Sequence, residues 1–119
     1  MVGVWEGRVR TVSSGPITEG TVARGGMVIN EVDLRVTIEH QDGESFMGKS
    51  RSSATPGNQP SPRVWGTIRS DGEEAAFITS NGGRGTLWFA SGNQLEYCIT
   101  NLLEDSFTAY CAELTKKTE

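Results

Sequence analysis

The sequence is short of most features that announce chemistry. It has one histidine, His40, and two cysteines, Cys98 and Cys111, among 119 residues. Two cysteines are too few for a structural zinc site, and they do not form a Cys-x-x-Cys pair. A lone histidine at the edge of a turn is solvated by default. Without clustered carboxylates, no transition-metal site is expected. No Ser-His-Asp arrangement can be argued from the chain alone. Basic residues are outnumbered, 11 against 15, which leaves a net charge of −4. A phosphate-binding surface for nucleic acid needs the opposite balance. No apolar run approaches the roughly 18–20 residues of a membrane span. The N-terminus lacks a basic stretch followed by an apolar one, so no signal peptide is expected. A soluble protein is expected, cytoplasmic or a mature exported form. Asn81-Gly82-Gly83-Arg84-Gly85 lacks the Lys-Ser/Thr of a phosphate cradle and reads as a hairpin loop. Asp71-Gly72-Glu73-Glu74 lacks the spaced ligands of a calcium loop. No metal or cofactor is therefore expected.

Helical periodicity is also missing, and what replaces it is strand. Fifteen glycines against four prolines suit a turn-rich β protein. The first strand runs from Gly3 to Val12. Val32 to Glu39 alternates cleanly, with Val32, Leu34, Val36 and Ile38 on one face and Asp33, Arg35, Thr37 and Glu39 on the other. Met27-Val28-Ile29 extends that strand backwards. At His40-Gln41-Asp42-Gly43-Glu44, a two-residue loop would turn Lys49 and Arg51 onto the dry face. A bulged turn at Gly43 keeps these cations in solvent. It is therefore preferred, and it sets Ile38 opposite Phe46 and Val36 opposite Gly48. Further strands are expected at 63–69, 74–80, 84–90, 94–101 and 107–114. The turn Ser70-Asp71-Gly72 leaves open whether Trp65 or Val64 points inward.

Eight antiparallel strands in chain order make an all-β, single up-and-down barrel over residues 1–119. Closure removes the two long edges that an open sheet would expose. Two long connections, 13–30 and 54–62, interrupt the strands and can serve as lids. The second contains three of the four prolines and cannot be a central strand.

Gly3-x-Trp5 opening a meander of this length resembles the calycins: lipocalins, fatty-acid-binding proteins and the avidin group. The resemblance implies that Trp5 plugs one barrel end beneath a basic residue, Lys116 or Lys117. The length is closer to the avidin-like barrels, but their biotin-site pattern is not seen, so biotin is not implied. A second resemblance is to small bacterial barrel proteins of uncharacterised function. It rests on Ile38-Glu39-His40-Gln41-Asp42-Gly43-x-x-Phe46-x-Gly48, on Gly66-x-Ile68-x-x-Asp71-Gly72, and on Leu95-Glu96-Tyr97-Cys98 with Cys111. It implies the fold and no activity.

Aromatics recur about once per strand. Trp5, Phe46, Trp65, Trp88, Tyr97 and Tyr110 are the candidate lining of a cavity for a hydrophobic or aromatic small molecule. Plain core is the competing reading of the same residues. Small residues on strands, namely Gly48, Gly66, Gly85, Ala76 and Ala109, leave room for the cavity. Glu96 and Tyr97 are adjacent, so only one faces inward, and Tyr97 in the wall with Glu96 in water is the simpler arrangement. Symmetric pairing about Glu104-Asp105 sets Cys98 opposite Cys111, as a disulfide or as two packed thiols. Three functions fit. The first is a small-molecule binder. The second is a metal- and cofactor-free cyclase or isomerase using Tyr97, Tyr110 or Glu96. The third is a protein-interaction module, or homo-oligomer, that uses a wall bearing Trp65 or Trp88.

Overall fold

The computed structural model describes residues 1–14, 27–53, 57–102 and 107–117. Eight strands follow one another: β1 (Gly3–Ser14), β2 (Met27–Asp42), β3 (Ser45–Ser52), β4 (Arg63–Ile68), β5 (Glu74–Thr79), β6 (Gly83–Ser91), β7 (Gln94–Leu102) and β8 (Phe107–Lys116). Each pairs antiparallel with the next, and β8 returns to β1, giving a closed eight-stranded antiparallel barrel. Residues 15–26 and 54–56, most of one expected lid and part of the other, lie outside the described residues. Among the described residues no helix is long and apolar enough to cross a membrane.

Alternation in each strand decides which side chains fill the interior. Leu34, Val36 and Ile38 of β2 are buried, as their spacing requires, and so are Trp5 and Val9 of β1. The register at the first hairpin differs from the expected one. Ile38 pairs with Gly48 and Val36 with Ser50, and the loop is two residues, Gly43-Glu44, with Gly43 at a φ of 60°. The bulge sits at Glu39, where the register shifts between Ile38 and His40. It does the job expected of a bulge at Gly43. Without the extra residue, the two-residue loop would set Lys49 opposite Ile38 and turn it into the core. With it, Phe46 and Gly48 face in and Lys49 stays exposed.

The turn after β4 resolves the other open register. Ile68 pairs with Ala75 and Val64 with Thr79, which puts Val64 fully inside and Trp65 outside. Arg63 and Arg69 share Trp65's side of the strand, so turning Trp65 inward would carry two guanidinium groups towards the core. The desolvation of two cations exceeds what one indole gains by burial.

Trp5 closes one end of the barrel. Its indole N–H donates to the Met1 carbonyl at 3.0 Å, and the Lys116 ammonium stands 5.8 Å from the ring centroid. The basic residue expected above the plug is therefore Lys116. Lys117 turns instead to the Glu6 carboxylate, 3.6 Å away. Ile38, Leu95 and Leu114 are buried in the same apolar core.

Candidate functional site

The inward rows become polar towards the opposite end. Along β1 the sequence passes from Trp5 and Val9 to Thr11. Along β3 it passes from Phe46 and Gly48 to Ser50 and Ser52. Along β7 and β8 it reaches Asn101 and Thr108, which pair with each other. These side chains are short and polar, so they cannot interdigitate into a dry plug. A cavity of about 580 Å³, open to solvent, lies there, with Thr11, Asn30, Val32, Ser52, Thr108 and Tyr110 on its walls. The Thr11 hydroxyl donates to the Asn30 carbonyl at 3.3 Å, which fixes the β1–β2 side of the mouth. Connections 15–26, 54–56 and 103–106 all leave from strands at this end.

Beneath the mouth three aromatic rings are stacked. Phe77 and Tyr97 have centroids 4.6 Å apart and planes 24° from parallel. Tyr97 and Tyr110 follow at 6.3 Å and 26°. The stack ends on Tyr110, which lines the cavity. The Tyr97 hydroxyl is buried and has no hydrogen-bond partner. Ser50 approaches it without reaching hydrogen-bonding geometry. Asn101 Oδ1 is likewise buried and unpartnered. Leaving such a group unsatisfied costs about 1–3 kcal/mol, so two of them near one end are a standing cost in stability.

Burial pushes the Tyr97 phenol far above its ordinary range, with repulsion from Tyr110 adding to the shift. Burial alone lifts Tyr110 to about 12. Both rings are therefore neutral at physiological pH. Each can give or accept a hydrogen bond, and neither can serve as a phenolate base.

The structure divides the six aromatics expected to line a cavity. Tyr110 lines the mouth, and Tyr97 sits one ring deeper. Trp5 and Phe46 are buried core residues and are absent from the cavity wall. Trp65 and Trp88 lie on the outer wall, 41% and 51% exposed, so the expectation that they face the interior is corrected. Trp88 shares its side of β6 with Arg84, and Leu87 takes the inward place. The glycines expected to leave room are also filled: a side chain at Gly66 would strike the Phe46 ring, and one at Gly85 the Cys98 carbonyl. Ala76 and Ala109 face outward.

Cys98 and Cys111 do pair directly, with Cα atoms 4.0 Å apart, and form a disulfide on the outer wall. The Glu96 carboxylate lies within 4.8 Å of both sulfurs. The sulfurs are spent on each other and offer no thiolate to a metal. Glu96 and His40 are exposed. Phe77 was absent from the aromatics expected to line a cavity, and Ser50, Ser52, Thr11, Asn101 and Thr108 were missed by reasoning from aromatics. The signal of these five was the change from apolar to polar along the inward-facing side of β1, β3, β7 and β8.

No family model matches the chain, and no curated protein matches it. Solved structures do, and among them are two that cover nearly the whole chain. A de novo designed fluorescence-activating β-barrel superposes with a TM-score of 0.51 at 20% identity, over 98% of this chain and 94% of the other. The S-type phycobiliprotein lyase CPES from Guillardia theta superposes with a TM-score of 0.54 at 15% identity, over 99% and 89%. At these identities the likeness is one of fold.

Proposed function

We propose that the barrel binds a hydrophobic or aromatic small molecule that enters at the open end and lays a flat ring against Tyr110. The observation that carries this reading is the Phe77–Tyr97–Tyr110 stack ending on the wall of a solvent-open cavity. A ligand ring would be the next member of the stack, in the offset geometry aromatic pairs prefer. Thr11, Ser52 and Thr108 would meet polar substituents at the ring's edge. The connections between β1 and β2 and between β3 and β4 would act as lids, since they leave from that end; the first is shorter than 13–30, because β1 runs to Ser14 and β2 begins at Met27. Two observations support a calycin-like arrangement: the Trp5 plug beneath Lys116, and structural neighbours named as a fluorescence-activating barrel and a phycobiliprotein lyase.

Titration with the neutral naphthalene dye prodan tests the reading. Saturable binding with a blue-shifted emission is expected. Tyr110→Ala should weaken it about three- to tenfold through the lost ring contact. Val32→Trp should fill the mouth and abolish it, and Trp65→Ala should leave it unchanged. The reading fails if no saturable binding is seen, or if binding survives Val32→Trp and is lost in Trp65→Ala.

A further inference from the structure

The outer wall of β4–β7 carries a pattern that the interior does not require. Cross-strand pairing arranges its outward side chains in three rows, each two residues further along the strands. The first row holds Trp65, Ile78, Arg84 and Thr100. The middle row holds Thr67, Ala76, Thr86 and the disulfide-bonded Cys98. The third holds Glu74, Trp88 and Glu96. Trp65, Ile78 and Trp88 are 41%, 58% and 51% exposed, a cluster of large apolar side chains on one face of a sheet. Arg84 makes no ion pair among the described residues.

The rows are complementary to one another. The first passes from two apolar side chains to Arg84, which has no ion pair among the described residues, and then to Thr100. In the third an indole is flanked by two carboxylates, Glu74, which also pairs with Arg69 at 3.3 Å, and Glu96. A twofold axis lying between two such walls, along the middle row, superposes the first row of one copy on the third row of another. Residue meets residue reciprocally, as a twofold interface requires. The middle row is short, so the two sheets can close to about 10 Å, the ordinary spacing of packed sheets.

We propose that this wall is the interface of a twofold homodimer, in which Arg84 of each copy lies on the partner's Trp88 between the partner's Glu74 and Glu96. The guanidinium finds an aromatic face and two carboxylates at once, in a site partly shielded from water. The same axis lays Ile78 along the stem of the partner's Glu74 and Trp65 beside the partner's Arg69, where the indole meets a second guanidinium.

Sedimentation equilibrium of the full chain, from micromolar to near-millimolar concentration, tests this directly. The native protein should show a monomer–dimer equilibrium. Arg84→Glu sets a third carboxylate between Glu74 and Glu96, and should raise the dimer dissociation constant at least about tenfold. Glu96→Lys alone should also weaken the dimer, and the double variant Arg84→Glu with Glu96→Lys should recover most of the loss. Both positions are exposed, and unchanged thermal unfolding of the variants would separate a lost interface from a lost fold. A native protein that stays monomeric throughout overturns the proposal. So does a dimer indifferent to Arg84→Glu, or a double variant as weak as the worse single one.

Discussion

The two ends of the barrel are built from the same eight strands and do opposite things. At one end Trp5 lies 2% exposed beneath Lys116, with Ile38, Leu95 and Leu114 in the same buried core. At the other, Thr11, Ser52, Thr108 and Tyr110 surround an open cavity. Backbone pairing is continuous along β7–β8 from Gln94–Thr115 to Leu102–Phe107, so along that pair hydrogen bonding does not distinguish the ends, although β2 outruns β3 at the open end. Side-chain volume and polarity on the inward rows do. A large aromatic with its N–H satisfied can fill a barrel cross-section, whereas a ring of serines and threonines cannot.

The largest expected effect lies at the sealed end. Trp5→Ala removes a buried indole that no neighbour can replace, and should cost about 3–5 kcal/mol in urea unfolding. Tyr110→Ala, at a wall already open to solvent, should cost about 1–2 kcal/mol because less area returns to water. Equal losses would mean that the two ends are packed alike, and the contrast would collapse. Reduction of Cys98–Cys111 comes next. The disulfide closes a loop of sequence separation 13, which contains the ends of β7 and β8 nearest the mouth. Releasing it should cost about 2–4 kcal/mol by freeing the unfolded chain. Hydrogen exchange should then quicken more at Asn101 and Tyr110 than at Trp5. A uniform change along the barrel would show that the open end is no less fixed than the sealed one.

The sealed end was the more legible in the sequence, and the reason is physical. Gly3-x-Trp5 and the alternation of β2 concern residues whose burial is strongly favoured, so pattern and position agree. The β4 face was legible in principle as well: Arg63 and Arg69 bracket Trp65 at even spacing, and charge burial outweighs one indole. Weighing aromatics singly, instead of whole rows, led Trp65 and Trp88 inward. The bulge at Glu39 could not be located, because a bulge at Glu39 or at Gly43 keeps Lys49 in water equally well. The open end was the least legible. Its walls are short polar residues that would be unremarkable on a surface. Only the three-dimensional meeting of Phe77, Tyr97 and Tyr110, from β5, β7 and β8, turns them into a site.

A smaller effect separates function from stability at the open end. Tyr97→Phe removes a hydroxyl that is buried without a partner, and leaves the ring in the stack. The folded state then loses an unpaid desolvation cost, so stability should rise by about 1 kcal/mol. If the hydroxyl serves a bound molecule, dye affinity should fall in the same variant. A Tyr97→Phe protein that is less stable would mean that the hydroxyl already has a partner, with Ser50 the nearest candidate.

The smallest effect vanishes at neutral pH and sharpens the comparison on heating in alkali. Burial raises the Tyr110 pKa from 10.0 to about 12 and raises that of Tyr97 further. Above pH 10 the unfolded chain releases these protons while the folded chain holds them. Protons bound by the folded state alone make stability fall as pH rises. The contribution of Tyr110 is therefore complete below pH 10 and is lost as pH climbs towards 12. Tyr97→Phe and Tyr110→Phe should each flatten the fall in melting temperature over that interval, by similar amounts, since both phenols lose their protons near pH 10 in the unfolded chain. Trp5→Phe, at the end without a buried phenol, should lower the whole curve and leave its slope unchanged. If Trp5→Phe flattened the slope instead, the alkaline loss would belong to the barrel as a whole and not to its open end.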